Sequence, residues 1–364
     1  MKYRFLGKTG VKVSELALGC MTFETDYVRG MTEKDAFGIM DRYMHEGGNF
    51  FDFADNYPGV EALFGRWLKT RRDRDQMIIA SKVRFPSLKN GINDVGLSRK
   101  HIFDAADNAL KLTGADYIDL YQMHLFDEFT PLEETLEVFA DLIRAGKIRY
   151  VGGSNIDGRN VAKAAACAKY LRLPHVHSYQ MQYNLLTRAV EFEVIPAALE
   201  AQSSVNCWSP LAAGWLSGKY ERGSAPPAES RMGKIYKNFN EWEKLVESDV
   251  SAQFPHARAV RNARENFESE NMARNERRWL IIEAVAEIAK KYGATPSQVS
   301  LAWLLRQKCV CSAVVGVSRI TQLIENLAAL DLSLEENDLR WLGDISEPVK
   351  VYPYDFIEEY GRWR

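Results

Sequence analysis

Asp52, Tyr57, Lys82 and His124 are the side chains of this 364-residue chain whose types could together deliver a proton to an oxygen. A free tyrosine does this poorly near neutral pH, because its phenol has a reference pKa near 10. A lysine ammonium held against the phenol oxygen favours the phenolate, and a carboxylate paired to that lysine keeps the ammonium charged and aimed. Lys82 and Asp52 suit those supporting roles, while the His124 imidazole suits a hydrogen bond to a substrate oxygen, its orientation, or a proton relay. Such a site protonates an oxygen as negative charge develops on it, which is what hydride addition to a carbonyl requires. Seen singly, a strand-end Asp is a helix cap, a Lys a surface charge, and a Tyr or His a packing residue. What sets these apart is their common place at the ends of apolar runs.

Those runs are Leu16 to Gly19, Asn49 to Asp52, Met77 to Lys82, Ile118 to His124, Tyr150 to Gly153, Ser178 to Gln182, Val205 to Trp208 and Ala313 to Gly316. Short β-branched or aromatic runs separated by helical patterns indicate βαβ units and a parallel sheet. Eight of them predict an α/β fold of the closed (β/α)8 TIM-barrel kind, in which active sites form at the C-terminal strand ends where the βα loops converge. Asp52 closes the second run, Tyr57 lies in the loop after it, Lys82 ends MIIASK and His124 ends IDLYQMH, so their spread in sequence is no obstacle to meeting. A β-hairpin is expected first, from Tyr3 to Phe5 and Val11 to Val13 around Gly7-Lys8-Thr9-Gly10. Connecting helices are expected at Glu33 to Glu46, Arg99 to Lys111 and Leu132 to Arg144, with Ser98 and Thr130-Pro131 as starts and Gly146 as a stop. One domain, 1–364, is expected. Its rhythm is broken after the seventh run by a charge-rich helical insertion at about 220–293, opened by Pro226-Pro227, and a tail starts at about 346. Arg258, Arg261 and Arg264 share one helical face of the insertion, read as a solvated surface, with a lid or subunit contact as the alternative.

With 47 basic against 49 acidic residues the net charge is -2, so no electrostatic footprint for nucleic acid or an anionic membrane exists, and small molecules are the expected partners. Five cysteines without a C-x-x-C spacing suit reduced thiols and a cytoplasmic location. The N-terminal MKYRFLGKTGVKVSELALG has no apolar core of signal-peptide length, and no run approaches the roughly 18 apolar residues of a membrane span. His175-Val176-His177 lacks a further ligand at metal spacing, and Cys309 and Cys311 are too close for an unstrained bridge. No G-x-G-x-x-G follows a strand and GWLSGKY is not a P-loop, so a dinucleotide would bind without either device.

FLGKTGVKVSELALGCMTF, FDFADNY, IIASKV and, above all, LYQMHLFDEFTPLEETLEVFADLIRAGKIRYVGGSN make the chain resemble the aldo-keto reductase family from about Tyr3 to Leu330. The resemblance implies an NADP-dependent oxidoreductase, with NAD the alternative cofactor, that interconverts an aldehyde, ketone or sugar carbonyl and its alcohol by hydride transfer. It places Asp52, Tyr57, Lys82 and His124 in the catalytic tetrad, Tyr57 being the acid in reduction and the base in oxidation. It further implies a cofactor extended across the barrel mouth. Ser154 and Asn155 of GGSN and Gln180 of YQMQYN would grip the carboxamide, Trp208 of WSPL would stack on the nicotinamide, and Cys20 and Met21 would meet it through backbone. Ser209, Pro210, Leu211 and Lys219 would follow the pyrophosphate, with Arg231 of SRM beyond them. In GVSRITQLIENLAAL, Gly316, Ser318 and Gln322 would meet the ribose 2′ substituent, Glu325 and Asn326 the adenine, and Arg319 a 2′-phosphate, which favours NADP.

Two departures from the family pattern bear on substrate shape beside Tyr57: Phe53 stands where Thr is common, and Pro58-Gly59-Val60-Glu61 shortens the following loop. Phe23, Tyr27, Phe85 and Phe126 are candidates to line an aromatic pocket, and the tail EPVKVYPYDFIEEYGRWR a candidate to cover it. Rival readings are a nucleotide-binding regulatory subunit resembling the β subunits of voltage-gated potassium channels, and a barrel enzyme using Lys82 as a Schiff-base nucleophile. No motif specifies an oligomeric state.

Overall fold

Strands buried on both faces need a layer on each side, and here the ring of strands closes on its own interior while helices cover the outside. The computed structural model describes residues 1–23, 31–86, 91–224, 227–228, 230, 233 and 272–361. An antiparallel pair, β1 (Tyr3–Phe5) and β2 (Lys12–Ser14), precedes the barrel. The barrel strands are β3 (Leu16–Gly19), β4 (Phe50–Asp52), β5 (Ile78–Val83), β6 (Ile118–Met123), β7 (Ile148–Ser154), β8 (Val176–Gln182), β9 (Ser204–Trp208) and β10 (Val310–Val315). They are parallel neighbours in that order, and β10 pairs with β3 to close the ring. Each overlaps one of the eight apolar runs.

Leu6 and Val13 pack with Ala17, Phe50, Ala80 and Leu120, so the hairpin plugs the N-terminal end of the barrel and leaves the C-terminal end for loops. Gly7 makes that plug possible. Its φ is +54°, and a Cβ there would sit 2.2 Å from the His177 carbonyl oxygen, so any side chain would be strained and blocked at once.

The helices are α1 (Glu33–His45), α2 (Val60–Leu68), α3 (Arg99–Thr113), α4 (Leu132–Arg144), α5 (Gly158–Tyr170), α6 (Val194–Glu200), α7 (Met272–Tyr292), α8 (Pro296–Leu305), α9 (Ile320–Leu327), α10 (Glu336–Ile345) and α11 (Tyr354–Tyr360). Ser98 caps α3 by accepting from the His101 amide, and Thr295 with Gln298 forms a capping box before Pro296 of α8. On α4, Leu132, Leu136, Phe139 and Leu142 recur at helical spacing and are buried, each such side chain contributing about 1.5–3 kcal/mol of apolar burial. The start of α4 differs slightly from expectation. Pro131 occupies the cap, while Thr130 Oγ1 donates to Asp127 Oδ2 at 2.7 Å.

The middle of the expected insertion, with Arg258, Arg261 and Arg264, lies outside the described residues, as do Tyr27 and Arg231. From Met272 the chain is helical as far as Tyr292. The tail docks beside the segment entering α6: the Tyr354 ring stacks on Phe192 with centroids 4.9 Å apart, and its hydroxyl donates to Glu193. No helix among the described residues is long and apolar enough to cross a membrane.

Candidate active site

The strand ends bring the four chemical residues into one place. Lys82 of β5 and Asp52 of β4 form an ion pair at 2.6 Å, with side chains only 1% and 4% exposed. Two buried charges are tolerated only when their remaining hydrogen-bonding capacity is met. Here Lys82 Nζ also donates to the Phe53 carbonyl at 3.1 Å, while Asp52 Oδ1 accepts from Gln180 Nε2 of β8 at 2.7 Å and, more weakly, from Gln122 Nε2 of β6 at 3.4 Å. The loop after β4 is laced to β5 through the amides of Phe53 and Asp55, which donate to the carbonyls of Ala80 and Lys82. That lacing sets the Tyr57 ring beside Lys82, whose Nζ is 5.6 Å from the ring centroid. The His124 amide donates to the Val83 carbonyl at 3.0 Å, and its ring lies edge-on to Tyr57 at 6.1 Å and to Phe85 at 4.9 Å.

Burial works against the Lys82 ammonium, but the Asp52 carboxylate and the Tyr57 phenol outweigh it and hold the lysine above its ordinary value. Burial raises the Tyr57 phenol; Lys82 pulls it down and offsets only part of that rise, so the net direction is upward. The expectation that the lysine lowers the phenol therefore holds for its own contribution and fails for the sum, because desolvation is the larger effect. Burial depresses His124, with Lys82 adding to the depression and Asp55 opposing it. Burial, with Asp52 adding to it, raises the Cys20 thiol far above its ordinary value, so it is an inert neighbour.

The sequence model of the Aldo/keto reductase family matches residues 15–347. The chain belongs to the aldo/keto reductase family. It is 32% identical over 355 residues to the uncharacterized oxidoreductase YrpG of Bacillus subtilis strain 168, spanning 95% of this chain and 96% of that one. It is 30% identical over 383 residues to protein tas of Escherichia coli K12, spanning 97% and 99%. A putative voltage-gated potassium channel subunit beta of Schizosaccharomyces pombe is also 30% identical, over 334 residues and 90% and 88% of the two chains. Membership makes the chain an oxidoreductase in class.

In this aldo/keto reductase the segments expected to hold a cofactor leave the C-terminal ends of β7, β8, β9, β10 and β3, a continuous arc of the ring next to the ends of β4, β5 and β6 where Asp52, Lys82 and His124 stand. Ser154 Oγ donates to the Gln180 carbonyl at 2.8 Å, and Asn155 Nδ2 donates to the His124 carbonyl at 3.0 Å. Asn155 Oδ1 accepts from the indole of half-buried Trp208 at 3.0 Å, so these groups form one network with the tetrad. Asn155, Ser209, Ala212 and Ala213 all have positive φ without being glycine. Such conformations cost about 1–3 kcal/mol each and cluster at ligand clamps, which fits a mouth shaped for a bound group. Pro210 is buried, Leu211 half-buried and Lys219 exposed.

At the far end Gly316 and Arg319 are exposed, whereas Ser318 and Gln322 are tied together through Gln322 Oε1, which accepts from the Ser318 amide at 2.9 Å. The Glu325 carbonyl accepts from Gln298, and Asn326 is buried. Cys20 is buried and Met21 half-buried, with Thr22 Oγ1 donating to the Val317 carbonyl to link this loop to the β10 end.

Some expectations are corrected. Phe53 is fully buried against Phe64 of α2, with ring centroids 5.2 Å apart, so it belongs to the barrel-to-helix core and not to a substrate pocket. Phe23 is buried in the same cluster. Phe126 lines a cleft of about 520 Å³ with Glu128, Arg159, Asn160 and Lys163, beside the loops after β6 and β7 and apart from the tetrad. Gln122, Asp55 and Glu61 went unrecognised. The alternation of Leu120 and Gln122 along β6 could have revealed Gln122 as inward-facing; nothing local marks the other two. Among the described residues no group of three or more His, Cys, Asp or Glu could hold a metal. His175 sits 3.4 Å from Ser203 Oγ, and burial with His175 beside it pushes His177 down to about 4.

Proposed function

We propose that this aldo/keto reductase is an NADP-dependent enzyme that interconverts an aldehyde, a ketone or a sugar carbonyl with its alcohol. The observation that carries the reading is the buried Lys82–Asp52 ion pair set beside Tyr57. In reduction Tyr57, protonated at neutral pH, gives its proton to the carbonyl oxygen, and the Lys82 charge works against the burial that would otherwise hold that proton back. The Lys82 ammonium stabilises the phenolate left behind, and Asp52, held by Gln180 and Gln122, keeps that ammonium charged. In oxidation the phenolate takes the alcohol proton. His124 orients the substrate oxygen, accepting from an alcohol when neutral and donating to a carbonyl when protonated. Phe85 and Tyr57 give the cleft an aromatic edge that suits aryl and sugar carbonyls.

The nicotinamide, when bound, donates or accepts the hydride. Ser154, Asn155, Gln180 and Trp208 would hold its ring, with Cys20 and Met21 through backbone, and Ser209, Pro210, Leu211 and Lys219 the pyrophosphate. Gly316, Ser318, Gln322, Glu325 and Asn326 would hold the adenosine, and exposed Arg319 offers a cation to a 2′-phosphate, which supports NADP. Five free, buried cysteines suit a reducing compartment, and we place the protein in the cytoplasm.

The regulatory reading, favoured by the likeness to a potassium channel subunit beta, uses the same cofactor groups without turnover. Following NADPH oxidation over a panel of aldehydes, ketones and sugars separates the two. Steady-state turnover on at least one member is expected. Tight NADPH binding with no turnover on any member, and stoichiometric capture of a membrane partner, would favour the regulatory subunit instead.

A further inference from the structure

We propose that Asp55 is the positioning residue of His124: its carboxylate holds the Nδ1 edge of the imidazole so that Nε2 faces the cleft beside Tyr57. The inference rests on the role of His124 given above. Asp55 Oδ1 and His124 Nδ1 are each buried with no hydrogen-bond partner, and the Asp55 carboxylate lies close enough to raise the imidazole against its burial. Two such atoms left apart would each carry the full cost of desolvation; sharing one hydrogen bond relieves both.

Asp55 has little freedom to do anything else. Its amide donates to the Lys82 carbonyl at 3.2 Å and its Oδ2 accepts from the Arg84 amide at 3.1 Å, so the backbone at the end of β5 and just beyond it fixes Asp55 and leaves Oδ1 for the ring. The imidazole is bounded elsewhere by the edges of Phe85 and Tyr57, and its own carbonyl is held by Asn155 Nδ2. The titratable groups facing it are Asp55 and Tyr57 from the loop after β4, Asp52 from β4 and Lys82 from β5; Glu61 of α2 stands behind Asp55, next to Ser81 and Tyr121. Nδ1–H then donates to Asp55 Oδ1, and Nε2 presents a lone pair in the neutral ring and a proton in the charged one. Asp55 supports the charged form against burial and Lys82, and so favours the state that donates to a carbonyl.

The test is a histidine NMR titration of the whole chain labelled with ¹⁵N at both ring nitrogens, with His124 identified by its loss in His124→Gln. In the wild type the neutral His124 ring should carry its proton on Nδ1. In Asp55→Asn its titration should move to lower pH by about one unit while the remaining histidines stay in place. Carbonyl reduction should fall about tenfold in kcat, with alcohol oxidation and cofactor affinity less affected. A wild-type ring protonated on Nε2, or an unmoved titration in Asp55→Asn, overturns the proposal. The tautomer is read on the wild type, so it decides even if the variant folds poorly. The titration needs no turnover, so its failure is distinct from a failure of the proposed reaction.

Discussion

Glu61 offers the sharpest test of how burial sets charge around this site. It is 4% exposed on the inner face of α2, with Ser81 Oγ donating to its Oε1 at 3.1 Å and the Asp55 carboxylate nearby. Burial, opposed by the Ser81 hydrogen bond and reinforced by Asp55, lifts it from 4.5 to about 7. A raised folded value means the folded chain holds this proton more tightly than the unfolded one. The associated stability is therefore complete below about pH 4.5 and is lost as pH rises through about 7. At about 1.4 kcal/mol per pH unit the loss amounts to about 3 kcal/mol. Glu61→Gln keeps an acceptor for Ser81 and cannot ionise. Guanidinium unfolding followed by circular dichroism should give wild type and variant similar stabilities near pH 5, and by pH 9 the variant should be the more stable by about 3 kcal/mol. Curves that run parallel across that range would show that Glu61 is ionised in the folded chain at all these pH values and would refute the reasoning.

Lys82→Met should strand the Asp52 charge in the barrel and cost about 3–5 kcal/mol in urea unfolding, much of it recovered when Asp52→Asn is added; an unchanged midpoint would remove the pair from the account. Arg319→Ala should weaken NADPH about tenfold in a tryptophan fluorescence titration and leave NADH nearly unchanged, and equal losses for both would take the 2′-phosphate contact away from Arg319.

The strands were legible because β-branched and aromatic residues recur in short runs closed by loops, and a closed parallel barrel is what such runs can form together. The meeting of the candidate residues was legible for the same reason: Asp52, Lys82 and His124 each stand at or beside a strand end, and all those ends point one way. What stayed hidden depends on distances between segments. Nothing near Asp55 in sequence announces that the Lys82 carbonyl and the Arg84 amide hold it beside His124. Phe53 bears on substrate shape in the sequence because it stands where Thr is common, yet strand alternation turns it outward onto Phe64. The sign of the Tyr57 shift needed a burial that only the folded loop supplies.

The central claim is that Tyr57, supported by Lys82, moves the proton. Tyr57→Phe should be measured in single turnover with saturating NADPH and the best carbonyl from the panel, alongside fluorescence titration of the cofactor. Hydride transfer slowed by about a thousandfold with NADPH affinity unchanged is the predicted result. A transfer rate close to wild type would contradict the account.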